Sequence, residues 1–300
     1  MTFNSAAHIE PCLQSLAQPG WERIVVDNAS FDDTVARAQK TTGTKVVANQ
    51  ENRGFAAAAN QGAYAGQGPL LLFLNPDVTA DPGALEALAR AAQPPEIAAV
   101  GGRLLNSDGS TQAGFVVRRL PTLLTALAEV LLLNRLLPGN PWNRRYRCLG
   151  MNLDIPALIE QPAGACLLVK RWAWETLGGF DERFYPLWYE DVDFCRRLRS
   201  RGWGIAYQPE AHFRHAGGHS LASMQPGKQQ LYWYQNLLRY FRKHHGRASV
   251  AALRLGILVG MVLRILATAL GFPSQREARR ASVRDYARII GCCVFAANSK

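Results

Sequence analysis

Apolar and polar positions follow two rhythms up to about residue 100. Short unbroken apolar runs, Ile24-Val25-Val26, Val46-Val47 and Leu70-Leu71-Leu72-Phe73-Leu74, suit strands covered on both faces. Between them lie segments with helical spacing. Ile9, Cys12, Leu13 and Leu16 share one face, with Ser5 as a cap and Pro11 in the first turn. Asp32 opens a second helix, residues 54–65 (GFAAAANQGAYA) read as a third and Pro82 to Ala92 as a fourth. Strands alternating with helices predict an α/β fold, a Rossmann-like, mostly parallel sheet with helices on both faces.

A doubly wound sheet starts with a strand that ends up central. This chain instead opens on Met1-Thr2-Phe3-Asn4 and turns into a helix. The expectation is that this is the stub of a longer strand, with Met1 an internal start. A short strand completed by other means is the alternative.

Beyond residue 98 the pattern changes. Residues 103–116 (RLLNSDGSTQAGFV) read as a hairpin turning at Asp108-Gly109. Residues 118–150, rich in Leu, Arg, Asn and Pro, show no period and read as a mobile excursion. GACLLV (164–169) is a strand, Arg171 to Leu177 a helix, 191–201 a helix with Phe194 and Leu198 inward, and 204–207 and 212–215 closing strands. The predicted division is an α/β domain over 1–220 and a basic helical region over 221–300.

Composition narrows the class. With 300 residues, 48% hydrophobic and 19% charged, the chain is globular and has ample core. A net charge of +11 points to nucleic acid, an anionic membrane or phosphorylated substrates. No nucleic-acid-binding motif accompanies it, so nucleic acid is set aside. Cys12, Cys148, Cys166, Cys195, Cys292 and Cys293 form no C-x-x-C pair, which predicts buried free thiols in a reducing compartment and no zinc site. MTFNSAAHIE lacks a signal-peptide pattern, so a cytoplasmic location is expected.

Residues 250–271 (VAALRLGILVGMVLRILATALG) are long enough to span a bilayer. Arg264 lies deep within them, at an insertion cost of about 2.5–3.5 kcal/mol. Lys243 and Arg247 precede the stretch, and Arg276, Arg279, Arg280, Arg284 and Arg288 follow it. An interfacial helix on an anionic inner leaflet of the plasma membrane fits this pattern best. A core or oligomer helix and a true span are the alternatives.

Four polar clusters carry candidate chemistry. In VVDNASFDD (25–33), Asp27 ends a buried strand, where a carboxylate can accept from a nucleobase N–H or a ribose hydroxyl. In NRGFAAAANQG (52–62), Gly54 permits close backbone approach before a helix N-terminus suited to a diphosphate, although Ala-rich helices are usually packing devices. In NPD (75–77), Asp77 ends the LLLFL strand and offers oxygen to a hard cation; a surface turn is the plainer reading. In FYPLWYEDVDFCRRLRSRGW (184–203), Asp191 opens a helix behind Trp188 and Tyr189, an aromatic wall suited to a sugar, and can take a proton from a hydroxyl. An acid at a helix start is otherwise a cap, and a lone histidine such as His215 is more often structural.

Taken in order, TFNS (2–5), VVDNASFDDT (25–34), NRGFAAAANQG (52–62), FLNPDV (73–78), GACLLVKR (164–171), GGFDERFYPLWYEDVDFCRRLRSRGW (178–203) and HAGGHS (215–220) resemble the family 2 inverting glycosyltransferases of GT-A fold, most of all their rhamnosyltransferase-like branch. The resemblance implies that Asp27 holds the donor's base or ribose with Thr2 beside it, and that Asn52, Gly54 and Asn60 line the donor pocket. NPD then stands for the family's D-x-D motif, with Asn75 in place of its first acid and Asp77 as the main ligand of Mg²⁺ or Mn²⁺. His215 matches a position that binds metal in some members. Asp191 would be the catalytic base, with Gly164, Trp188, Tyr189 and Glu190 on the acceptor side. The implied activity is transfer of L-rhamnose or a related hexose, with inversion, from a dTDP- or UDP-sugar to a glycan or lipid-linked acceptor in cell-surface polysaccharide synthesis, in a chain peripheral to the membrane and able to form a homo-oligomer. The alternative is a non-catalytic sugar-nucleotide-binding or scaffolding subunit.

Overall fold

The computed structural model describes residues 1–217, 224–271 and 276–295, with the side chains of 276–281 left out. Residues 218–220 of HAGGHS and the side chains of Arg276, Arg279 and Arg280 therefore lie outside the described residues. The chain runs α1 (Ile9–Ser15), β1 (Arg23–Asp27), α2 (Thr34–Lys40), β2 (Thr44–Ala48), α3 (Phe55–Ala65), β3 (Leu70–Leu74), β4 (Val78–Ala80), α4 (Ala84–Ala91), β5 (Ile97–Leu105) and β6 (Val117–Arg118). It continues through α5 (Leu123–Val130), α6 (Leu133–Leu136), α7 (Pro141–Tyr146), β7 (Ala157–Leu158), β8 (Gln161–Pro162), β9 (Cys166–Lys170), α8 (Arg171–Thr176), α9 (Glu190–Ser200) and β10 (Gly204–His215). Three helices follow: α10 (Pro226–His244), α11 (Arg247–Ala269) and α12 (Arg276–Ile290), the last passing into a π-helical turn, Gly291–Phe295. Two compact units result, Met1–Leu120 with Arg147–Ser223, and Pro121–Tyr146 with Met224–Lys300.

The first unit is a mixed α/β sheet with helices on both sides. Its larger sheet has the order β3-β9-β5-β10-β4, with β7 on β10. β5 and β10 are parallel, while β9 runs antiparallel to both neighbours. An aromatic cluster of Phe73, Phe180 and Phe194 packs β3 against α9, with ring centroids 4.7 and 5.1 Å apart. The early strands and helices stand where the apolar pattern places them. Strand β5 does not announce itself, because its first residues, IAAVGG, are small. Packing demands those glycines: a Cβ on Gly101 would lie 2.3 Å from Pro162, and one on Gly102 2.7 Å from Phe213. The two predicted closing strands are one, β10, carried past a bulge between Gln208 and His212. The turn at Asp108-Gly109 forms, but its return limb pairs only at Thr111 with Leu105 and then coils through Gln112 to Val116.

Strands β1 and β2 form a separate parallel pair. Between β1 and β3 lies a cavity of about 420 Å³, lined by Ile24, Val25 and Val26 on one side and Leu70 to Leu74 on the other. On the side facing β3, Thr2 forms an isolated bridge to β1: its N–H donates to the Val26 carbonyl at 2.8 Å, and its carbonyl accepts from Asn28 N–H at 2.8 Å. Among the described residues, no strand joins β1 to β3.

The supposed excursion over 118–150 carries α5, α6 and α7. These helices are too short to show a period in the sequence. Thr122 caps α5 in a capping box with Thr125. The Asn140 and Asn143 amides clip the next turn, donating to the carbonyls of Leu137 at 2.8 Å and Pro138 at 2.7 Å.

In the second unit α11 lies against α5. Gly256 and Gly260 permit the approach: an added Cβ would sit 2.4 Å from Leu127 Cδ2 and 2.1 Å from the Val130 carbonyl oxygen, respectively. Arg264 is not a stranded charge. Its guanidinium donates to the carbonyls of Val130 at 2.7 Å and Gly260 at 2.9 Å, neutralising the C-terminal end of α5. Gly260→Val should therefore destabilise this unit by about 1–3 kcal/mol, the usual cost of overpacking, read as a lower midpoint in urea. An unchanged midpoint would contradict the α5–α11 packing.

Candidate active site

Three groups of candidate side chains lie in the first unit, two at strand ends and one at a helix start. At the end of β1, Asp27 is buried and its carboxylate accepts from Thr2 Oγ1 at 3.0 Å, Ser30 Oγ at 2.5 Å and Ser30 N–H at 2.9 Å. Asn28, unremarked in the sequence, ties the neighbouring loops. It donates to the Gly54 carbonyl at 3.0 Å and accepts from Asn49 Nδ2 at 3.0 Å. Gly54 is left-handed (φ 82°), and a Cβ there would lie 2.8 Å from the Tyr185 ring. Asn52 accepts from Gly54 N–H at 2.9 Å. Asn60 is engaged inside the core: its amide nitrogen donates to the Phe180 carbonyl at 2.9 Å and Glu182 Oε1 at 3.0 Å, and its oxygen accepts from Phe180 N–H at 2.9 Å. In this structure Asn52 and Asn60 hold loops in place.

The second group follows β3. Asn75 is anchored through its N–H to the Ala165 carbonyl at 3.0 Å, and the turn carries Asp77 into β4. Because β4 pairs with the end of β10, with Val78 opposite His215, Asp77 and His215 become neighbours although 138 positions separate them (215 − 77). His215 Nε2 lies 3.7 Å from Asp77 Oδ2. Both side chains are buried, and Asp77 Oδ1 has no hydrogen-bond partner among the described residues. Burial pushes the His215 pKa down, against the opposing pull of Asp77, so the ring is neutral near pH 7.

The third group opens α9. Trp188 and Tyr189 are both left-handed (φ 74° and 73°), a strained setting for bulky residues immediately before the helix. Asp191 stands against Gly164, where a Cβ would lie 2.6 Å from Asp191 Oδ2, so only glycine leaves that carboxylate its place. Burial raises the Asp191 pKa, opposed by hydrogen bonds and by the positive charge of Arg118. Glu190 is buried, with Oε2 unpartnered among the described residues, and burial together with the Asp191 charge raises its pKa well above the ordinary range. The remaining acid of this motif, Asp193, is structural: it is fully buried and pairs with Arg197 at 2.7 Å.

The segment before β9 joins the second and third groups. Ala163 N–H donates to the Val116 carbonyl at 3.0 Å, Gly164 abuts Asp191, and Ala165 accepts from Asn75. The return limb after β5 adds residues that the sequence did not reveal. Phe115 stacks on His215 with centroids 5.5 Å apart, and the Arg118 guanidinium lies 5.0 Å over Phe115. The described residues contain no cluster of three or more His, Cys, Asp or Glu fit to hold a metal. Asp77 and His215 nonetheless fit a hard cation that completes its shell with substrate phosphates and water, and the unpaired Asp77 oxygen is the point in favour.

Comparison with known proteins agrees with this picture. Residues 1–149 match the family model described as Glycosyl transferase family 2. The chain is 32% identical over 241 residues to the N-acetylglucosaminyl-diphospho-decaprenol L-rhamnosyltransferase of Mycobacterium tuberculosis, covering 73% of this chain and 75% of the relative. It is 29% identical over 221 residues to the O-antigen biosynthesis protein RfbC of Myxococcus xanthus, covering 69% of this chain and 16% of that protein. The fold is similar to that of mannosyltransferase PcManGT from Pyrobaculum calidifontis, solved with GDP-Man and Mn²⁺, at a TM-score of 0.55 and 17% identity over 98% of this chain and 84% of that one. A mixed α/β sheet of this kind, with carboxylates at its strand ends, is a GT-A glycosyltransferase fold. The chain belongs to glycosyl transferase family 2, and within it is rhamnosyltransferase-like.

Proposed function

We propose that this chain transfers L-rhamnose or a related hexose from a nucleoside diphosphate donor, dTDP- or UDP-linked, to a lipid-linked or glycan acceptor with inversion, in cell-surface polysaccharide synthesis. The observation carrying this reading is the half-buried Asp191 at the start of α9, linked through Gly164 to the turn that bears Asp77 and through Arg118 and Phe115 to His215 at the end of β10. Asp27 and Thr2 receive the nucleoside end. Asp77 and His215 would hold a divalent cation, which when bound supplies positive charge to the donor diphosphate. Asp191 takes the proton of an acceptor hydroxyl. The freed oxygen bonds to the anomeric carbon from the face opposite the leaving group, the bond from that carbon to the diphosphate oxygen breaks, and nucleoside diphosphate departs. Trp188 and Tyr189 wall the acceptor side. The relative that acts on a lipid-linked N-acetylglucosamine supports the acceptor class, and PcManGT, solved with Mn²⁺, supports the cation. Incubating the purified protein with a panel of nucleotide sugars and lipid-linked acceptors tests the reading. Release of nucleoside diphosphate with an α/β-inverted product supports it, and a retained anomeric configuration overturns it.

A non-catalytic sugar-nucleotide-binding or scaffolding subunit is the second reading. The gap between β1 and β3 favours it, since it lies beside the nucleoside end. Donor binding without turnover across the panel would establish it.

Helix α11 is long and apolar enough to cross a membrane, and about a quarter of its most apolar window is buried (28%). Leu255, Val259, Val262, Leu263, Leu266 and Leu270 are exposed along it. Our reading places this stripe in the headgroup region of an anionic cytoplasmic leaflet. The double substitution Leu263→Glu, Leu266→Glu should weaken binding to anionic vesicles about 100-fold, two leucine burials of about 1.5 kcal/mol each. Parent binding should also fall with salt. Unchanged vesicle binding by the double variant would rule the stripe out.

A further inference from the structure

The return limb after β5 is rigid where it meets His215. Gln112 N–H donates to the Leu104 carbonyl at 2.9 Å, and the Gln112 carbonyl accepts from the N–H groups of Phe115 and Val116, each at 3.0 Å. From this fixed backbone the side chain grips one residue twice. Gln112 Nε2 donates to the His215 carbonyl at 3.0 Å, and Oε1 lies 2.9 Å from His215 Nδ1.

The chemistry of those atoms leaves a single proton arrangement. A backbone carbonyl only accepts, so the amide NH₂ must face it. The amide oxygen then faces Nδ1, and since it too only accepts, Nδ1 must carry the proton. In a neutral ring Nε2 is then bare, and Nε2 is the nitrogen 3.7 Å from Asp77 Oδ2. Phe115, stacked at 12° on the ring, stops it from turning away.

We propose that Gln112 is a positioning residue, holding His215 in the Nδ1–H tautomer so that its bare Nε2 and the Asp77 carboxylate face one divalent cation together. This rests on the reading that Asp77 and His215 hold a cation. The loop 106–116 contains none of the family motifs, and here it orients a metal ligand from the outer shell.

Nitrogen-15 long-range NMR of the full chain at neutral pH tests it without any turnover. The chain has six histidines, so the His215 signals are assigned by their loss in His215→Ala. The parent ring should show a protonated Nδ1 and a bare Nε2. Gln112→Leu should shift the ring toward a mixture of tautomers and weaken Mn²⁺ binding, followed by electron paramagnetic resonance, by about 10–100-fold. Gln112→Glu keeps an acceptor for Nδ1–H and should restore the tautomer and most of the affinity. A parent ring protonated on Nε2, or a Gln112→Leu protein with parental tautomer and parental Mn²⁺ affinity, overturns the proposal. A parent with the expected tautomer that binds no Mn²⁺ overturns the cation reading and leaves the tautomer clamp standing, so the two failures are distinguishable.

Discussion

Replacing Asp191 with Asn is expected to lower turnover by about 10²–10⁴-fold, the usual worth of a positioned general base, while donor affinity barely moves. The substitution keeps the size of the side chain beside Gly164, so the local packing survives. The pH profile adds a sharper signature. Burial raises the Asp191 pKa, and a base works only when ionised, so turnover should fall as pH drops through that raised value. The acid limb should therefore lie above the range of an ordinary aspartate. Glu190 is pushed up as well, by its burial and by the Asp191 charge, so the two neighbouring carboxyls titrate as a pair. Near-full turnover in Asp191→Asn, or an acid limb unchanged by it, would remove Asp191 from the role.

Asp77→Ala should abolish metal-dependent donor binding and cut turnover by about 10²–10³-fold, comparable with losing one preorganised electrostatic contact to the departing charge. EDTA should reproduce the effect in the parent protein. His215→Ala should be milder, since a neutral imidazole contributes no charge to offset that of the cation. Calorimetric titration of donor with and without Mn²⁺ separates the cases: Asp77→Ala should lose the difference, and His215→Ala should keep part of it. Full activity of the parent in EDTA would sink both assignments.

The sequence reveals the elements and residues whose signal is local. Short β-branched and leucine runs mark β1 to β3, with Asp27 and Asp77 at the ends of such runs, and Asp191 stands at a helix start. What escapes it depends on partners far along the chain. Strand β5 is built of small residues because Pro162 and Phe213 press on it, a demand invisible from residues 97–105 alone. Gln112, Phe115 and Arg118 carry no motif, and they matter only because β10 brings His215 back beside them. Asn60 looks like a pocket residue in its motif, yet the Phe180 backbone and Glu182 occupy its amide. Arg264 looks like a charge stranded in an apolar helix until the Val130 carbonyl is seen at its tip.

Among the described residues, no strand-to-strand hydrogen bonds join β1 to β3. The β1–β2 ribbon carries Asp27, and the larger sheet carries the turn with Asp77. Around that gap the parts are held by side-chain packing and by scattered hydrogen bonds through neighbouring elements, such as Asn60 to Phe180 and Cys12 to the Asn75 carbonyl, rather than by a continuous ladder. On the proposed reading, a nucleotide sugar reaching from Asp27 to Asp77 would act twice, as a reactant and as a tie between the two parts. By mass action, free donor would then set how often the halves are found together, and the catalyst would be at its firmest when supplied with the molecule it consumes.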